Sequence, residues 1–409
     1  MKLKSLPEDF QVEEVSTFTP DARGAFFVYE LEKRSLSTME AINIIARKTG
    51  MRPADLSPSG LKDKHGLTRQ LFSATRHLKR VEDDKLVVRF VGKSRERLTA
   101  RHIVGNRFLI TLRALTGPEL AVIPTNLAQV QACGLPNYYD DQRFGGVAHG
   151  QGFIARSLIA GDFENALKLH LATPHRKQNM RDKSNRRLAR ELWGNWSELH
   201  QRMKSSSERA LVQHLRDNPG DFAGCFERVT PPLRSMFLSA YQSMLFNRFL
   251  CRAIEHVAGN DPDNPLLRLG NRGGELVFYR TLDEARLSKL KALQLPLVAP
   301  QTRLADFGEF AGLIEAELKQ EGITLQDLRM PALPRTRFKA ASRDALLFPQ
   351  QVEHEAPEPD ELNPGRSKLM IAFQLGRGSF ATMLVKRLVL GAYPPDEEAA
   401  AETPASDDE

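Results

Sequence analysis

Asp63 lies in the segment SGLKDKHGLTRQLFS, Ser59 to Ser73, with Lys62 and Lys64 on either side, His65 close by, and Gly60 and Gly66 beyond them. Cations near a carboxylate favour its ionised form, and an ionised carboxylate is a candidate nucleophile at neutral pH. A glycine-flanked loop feeding a strand is also where a rigid scaffold displays a functional side chain. On spacing alone, a surface carboxylate neutralised by its neighbours is the simpler reading. A second constellation, PNYYDDQRFG (Pro136 to Gly145), brings together Asn137, Tyr138, Tyr139, Gln142, Arg143 and Phe144. Aromatic and amide groups of this kind stack on an unpaired base and bond its edge, while Arg143 suits a phosphate. The bland alternative makes Tyr138 and Phe144 core residues.

Other chemistries find little support. His65, His102 and His149 lack metal-ligand spacing, and no HxE is paired with a PCxxC, as a zinc-dependent base deaminase requires. Neither a GxGxxG nor a phosphate-binding GxxxxGK segment is present, so no nucleotide cofactor is indicated. Cys133, Cys225 and Cys251 are few and far apart, which suggests buried free thiols rather than disulfides or a zinc site. No cofactor and no metal are therefore expected. The 409 residues carry a net charge of +7, yet the last stretch, PDEEAAAETPASDDE, contains seven acids and no base. The remainder thus carries +14, which favours a polyanionic partner through counterion release. The segment HRKQNMRDKSNRRLAR adds Arg176, Lys177, Arg181, Lys183, Arg186, Arg187 and Arg190 around the single acid Asp182. A solvated helix face usually explains such a run, but the lack of compensating acids turns this one towards phosphate. No apolar run suits a membrane span or a signal peptide, so a cytoplasmic location is the default.

The elements that must position these residues follow from patterning. GAFFVYELEKR (Gly24 to Arg34) reads as a strand. A helix follows, with Ser37 and Glu40 as a capping box, Leu36 as a staple, apolar positions at Met39, Ile42, Ile45 and Ala46, and Gly50 as its stop. Leu71 to Ala74, Lys85 to Gly92 and Asn106 to Arg113 read as further strands, and Thr125 to Cys133 as a helix. With no βαβ rhythm, an α+β domain with a largely antiparallel sheet fits. From Gly152 to about Ser342 the pattern turns helical, with FIARSLIAGDFENALKLHLA and FLSAYQSMLFNRFLCRAIEHVAGN as amphipathic runs. A final strand, KLMIAFQL, and the helix in GRGSFATMLVKRLVL resemble the first half. The expectation is an interrupted first domain, residues 1–155 and 345–392, around an insertion, 156–344, with a disordered acidic tail, 393–409.

Together the motifs resemble one family, the TruD group of pseudouridine synthases, which isomerise uridine 13 of certain tRNAs. LKSLPEDFQVEE, SGLKDKHGLTRQLFS and LPNYYDDQRFG resemble its opening segment, catalytic loop and Asn-Tyr-Phe-Gly-x-Gln-Arg-Phe-Gly signature. FLSAYQSMLFN, RDALLFPQQ and GRGSFATMLVKRL follow in the family's order. The resemblance implies a pseudouridine synthase fold with a helical insertion, tRNA held in the cleft between the two, and cofactor-independent chemistry. It implies Asp63 as nucleophile, Lys4 as its basic partner, Asn137 and Phe380 beside the target base, and Phe10 closing the pocket. Lys62, Lys64, Arg143, Arg181, Arg186 and Arg187 are the expected RNA contacts. Where the family has Phe-Gly this chain has Tyr139-Asp140. Tyr139 thereby becomes a candidate base for the C5 proton, and Asp140 stands where a glycine conformation is expected. The alternative is an RNA-binding protein or tRNA chaperone on the same scaffold; an RNA methyltransferase ranks below both.

Overall fold

The computed structural model describes residues 1–145, 152–174, 179–204, 206–259 and 261–393. His149, Arg176, Lys177 and the acidic stretch from Asp396 lie outside the described residues. The chain divides into two units, one formed by Met1–Leu135 with the chain from Leu347 onward, the other by Pro136–Leu346.

In the first unit the expected strands and capped helix form as β2 (Phe26–Arg34), α1 (Thr38–Thr49) and β4 (Leu67–Ala74), joined by two strands that the patterning did not indicate, β1 (Phe10–Ser16) and β3 (Leu56–Pro58). They are followed by β5 (Val81–Asp83), β6 (Leu86–Ser94), β7 (Ile103–Leu115) and α2 (Gly117–Cys133). The returning chain adds strands Gln350–His354, Glu358–Pro359 and Ser367–Gly376 and a helix, Ala381–Val389. Ten strands make one mixed sheet, ordered Gln350–His354, Ser367–Gly376, β7, β1, β4, β2, β6, β5, with Glu358–Pro359 beside Ser367–Gly376 and β3 beside β4. All its pairings are antiparallel except β1 with β4, which run parallel from Gln11 opposite Leu67. That exception lays the N-terminal segment beside the loop that precedes β4.

The return is locked by a buried guanidinium. Arg113 on β7 pairs with Asp9 at 2.8 Å and Asp360 at 3.0 Å. Burial would raise the Asp360 carboxyl, but the N–H groups of Ala114 and Leu362, with Asn363 and Arg113, outweigh it and hold the group at about 2.

Two helix readings need correction in this unit. Met39 is exposed, because the inner face of α1 is set by Thr38, Ala41, Ile42, Ile45 and Ala46, and Met39 falls at its margin. Helix α2 starts at Gly117 rather than Thr125, with Thr116 and Glu119 as its capping box. It runs through Pro124, which forfeits one backbone bond. Buried Ile123, Leu127 and Val130 supply packing, and the Asn126 amide donates to the carbonyls of Leu388 and Leu390.

The second unit is mainly helical and is built on the long helix Pro231–Ala258. That helix is not amphipathic in its middle: every residue from Ala240 to Asn247 is buried, because other elements of the unit pack on several sides of it. The run from Phe153 is two helices, Ile154–Ile159 and Phe163–Leu171, separated at Gly161, whose φ is +75°. Cys133, Cys225 and Cys251 are free and buried, as expected.

Candidate active site

The Asp63 loop is fixed from several directions by neighbours in the first unit. Gln70 donates to the Gly60 carbonyl at 2.7 Å, and the Lys62 N–H donates to Thr38 Oγ1 at 3.0 Å. Lys33 Nζ donates to the Asp63 carbonyl at 2.7 Å, and the Ser35 N–H to the Gly66 carbonyl at 3.2 Å. Gly66 cannot be replaced without movement, since a Cβ there would lie 2.4 Å from the Phe10 carbonyl oxygen. The parallel start of β1 and β4 thus requires a glycine.

From this anchored loop the Asp63 carboxylate meets Lys4 Nζ at 3.2 Å, with the side chains 34% and 18% exposed respectively. Lys4 also sits 3.9 Å over the ring centroid of buried Phe10. Its backbone adopts φ +61°, uncommon for a residue with a side chain and the kind of strain that collects at functional sites. The arrangement is a partly exposed carboxylate on a rigid support, paired to a lysine that is itself seated on an aromatic ring.

The loop's own lysines serve other carboxylates than Asp63. Lys62 Nζ pairs with Glu14 at 2.8 Å, the side chains only 6% and 1% exposed, and Lys64 pairs with Glu40 at 3.0 Å. The Ser37 N–H, with Lys64, holds the Glu40 carboxyl down at about 2. Lys62, expected to attract phosphate, is therefore a buried structural cation, because Glu14 on β1 lies within its reach. Lys33 and Glu14 were missed by sequence reasoning, although both carry a signal. In β2, Tyr29, Leu31 and Lys33 alternate onto one buried face, and in β1 Glu14 falls on the face of Phe10 and Val12.

The second unit organises the NYYDDQRF segment as a separate assembly. Asn137 receives Arg343 Nη2 on its amide oxygen at 2.5 Å and donates to the Asp344 carbonyl at 3.0 Å, so its amide is already engaged. Asn247 clamps both backbone groups of Tyr139, at 2.9 and 2.8 Å. The Tyr139 ring has the Arg343 guanidinium 4.3 Å and that of Arg143 5.3 Å from its centroid, and Phe246 edge-on at 5.5 Å. Burial lowers the Arg343 pKa, against the hydrogen bond that its guanidinium makes with the Tyr139 side chain. Arg143 Nε donates to Ser243 Oγ at 3.0 Å. The three motifs NYYDDQRF, FLSAYQSMLFN and RDALL thus converge on one cluster, in which Arg343, Asn247, Phe246 and Ser243 are residues that the sequence did not single out. Tyr138 and Phe144 are core residues. Asp140 has φ −91° and ψ 170°, ordinary extended backbone, so no glycine conformation is needed there.

The remaining expected residues fall as follows. Phe380 caps the helix Ala381–Val389 in the first unit and is half-buried. In the helix Met180–Glu191, Arg181 and Arg187 are exposed. Arg186 differs from expectation: it is half-buried and donates to the carbonyls of His170 and Thr173, closing the end of the helix Phe163–Leu171. Burial lowers its pKa. Among the described residues, no cluster of three or more His, Cys, Asp or Glu side chains could hold a metal ion, and no helix is long and apolar enough to cross a membrane.

A mainly antiparallel sheet with a helical unit inserted in the chain is matched among known proteins. The family described as tRNA pseudouridine synthase D (TruD) matches residues 1–388. A relative from Methanocaldococcus jannaschii named "Probable tRNA pseudouridine synthase D 2" is 31% identical, over 96% of this chain and 92% of its own. The tRNA pseudouridine synthase D of Aquifex aeolicus is 27% identical over 95% of this chain and 98% of its own. A solved TruD crystal structure from Methanosarcina mazei superposes with a TM-score of 0.70 at 27% identity, covering 95% of this chain and 93% of that one. The chain belongs to the TruD family of tRNA pseudouridine synthases, enzymes of the isomerase class.

Proposed function

We propose that this chain isomerises uridine 13 of tRNA to pseudouridine with Asp63 as the nucleophile, in the cytoplasm. The observation that carries the reading is the Asp63 carboxylate, displayed on a backbone-anchored loop and paired with Lys4 Nζ at 3.2 Å. In the reaction the target uridine leaves the stack, which costs a few kcal/mol. Asp63 then bonds to ribose C1′ or to base C6, the N-glycosidic bond breaks, uracil turns and joins C1′ through C5, and the bond to Asp63 breaks with its electron pair returning to the carboxylate. The C5 proton is lost to a base and N1 is reprotonated, so atoms and electrons balance within the substrate. In the NYYDDQRF assembly the aromatic rings are buried, and half-buried Arg143 is the cation it offers to RNA.

The competing reading, an RNA-binding protein without catalysis, drew its support from Asp140, whose unstrained backbone removes the reason for it. Two measurements test the proposal. Asp63→Asn is expected to abolish product formation while tRNA binding survives; turnover in that variant sinks the nucleophile. Chemical labelling of pseudouridine, followed by sequencing of RNA from cells with and without the protein, should lose position 13 of tRNA. Loss at other sites only would overturn the assigned target.

A further inference from the structure

Lys33 is the least expected residue beneath the site. It lies on β2 in the row of Tyr29 and Leu31, and its side chain is fully buried, at 0% exposure. Its Nζ donates to two backbone carbonyls, those of Leu36 and Asp63, both at 2.7 Å. These carbonyls belong to the two chain segments that frame the site: the lead-in to α1 and the catalytic loop. Neither is a carboxylate. A buried ammonium without an ion-pair partner is costly, and a merely structural donor for two carbonyls does not require a charge.

The groups around it fix what the charge acts on. The Asp63 carboxylate and Glu40 attract it and Lys62 repels it, but Lys62 is neutralised by Glu14 and Glu40 by Lys64. Lys4, the other cation of the site, is committed to the Asp63 side chain. Asp63 is therefore held twice: by Lys4 at its carboxylate and by Lys33 at its own peptide carbonyl.

Building on the reading of Asp63 as nucleophile, we infer that Lys33 is a positioning residue, whose buried ammonium anchors the Asp63 peptide and aims the carboxylate at the substrate. The charge is available at neutral pH but not far above it: burial pushes the Lys33 ammonium down to about 8, against the attraction of Asp63. Its folded value lies below its ordinary one, so the proton is lost as pH rises through about 8 while the protein remains folded. The neutral amine keeps two N–H donors but loses the charge that strengthens both bonds, so the hold on the Asp63 peptide weakens while tRNA binding does not depend on it.

The test compares wild type, Lys33→Met and Lys33→Arg, each checked for folding by thermal unfolding. Lys33→Met is expected to lower kcat by about 10²-fold, the scale of a misplacement near 1 Å, with KM and tRNA affinity nearly unchanged. Wild-type kcat should decline as pH rises past about 8, whereas Lys33→Arg, which stays protonated, should recover much of the loss in Lys33→Met and show no such decline. A folded Lys33→Met with wild-type kcat overturns the inference. So does an alkaline decline that persists in Lys33→Arg. If neither variant folds, a wild-type profile flat between about pH 7 and 9 overturns it alone. Asp63→Asn separates the two readings: an inactive Asp63→Asn beside a normal Lys33→Met removes only Lys33, while an active Asp63→Asn removes the nucleophile itself.

Discussion

Tyr139 carries a hydroxyl at a position where the family signature has phenylalanine, which made it a candidate base for the C5 proton. The ring is 7% exposed, its backbone is clamped by Asn247, and two guanidinium groups, those of Arg343 and Arg143, lie over it. Cation–π contacts of this kind depend on the ring quadrupole and contribute about 1–2 kcal/mol when desolvated. Phenylalanine supplies the same quadrupole and forfeits the one hydrogen bond between the hydroxyl and Arg343, worth about 1 kcal/mol. Tyr139→Phe should therefore keep kcat/KM within about tenfold of wild type, whereas Tyr139→Ala should lose far more, because Arg343 and Arg143 lose the ring they lie over. A Tyr139→Phe variant that binds tRNA normally but turns over a hundredfold more slowly, on the order of 3 kcal/mol, would return the hydroxyl to the chemistry.

Strands β1 and β2 show what an element contributes beyond its own residues. Each carries one charged residue on its buried face, Glu14 and Lys33, and each of these reaches the loop Gly60–Gly66 across the sheet. Glu14 also receives Ser59 Oγ at 2.5 Å, so the carboxylate ties the loop's start to β1. Removing one partner of a buried pair leaves the other charge uncompensated, at a cost of about 3–5 kcal/mol. Glu14→Gln should lower the urea midpoint accordingly, and the pair Glu14→Gln with Lys62→Met should recover most of the loss. Equal stability of Glu14→Gln and wild type would show that Lys62 reaches water. The strands, the α1 cap and the glycine-flanked loop were legible because their signals are local: alternation, Ser37 with Glu40, Gly50. The parallel β1–β4 pairing was not, since register is set by partners far away in sequence. Without it, Lys62 and Lys64 read as companions of Asp63, and Lys33 as one more charge in YELEKR.

At the scale of the whole molecule, charge separates cations that hold the fold from cations left for a polyanion. The basic helix Met180–Glu191 contains both kinds, which its composition could not reveal: Arg186 and Arg190 close the final carbonyls of the neighbouring helix, while Arg181 and Arg187 remain exposed. Each phosphate neutralised in RNA binding releases counterions, giving a slope of about 0.7–0.9 in log affinity against log salt. If Arg181 and Arg187 each meet one phosphate, Arg181→Ala with Arg187→Ala should reduce the salt slope by about 1.4–1.8 and leave thermal unfolding unchanged. Arg186→Ala should do the reverse. Stranding the His170 and Thr173 carbonyls should cost about 1–3 kcal/mol of stability, with the slope of the folded protein nearly constant. Filter binding of tRNA over a salt series, beside unfolding curves for the same three proteins, reads both effects. An unaltered slope in the Arg181 and Arg187 double variant would make this helix a solvated face, and the RNA contacts would then have to come from other basic segments of the chain.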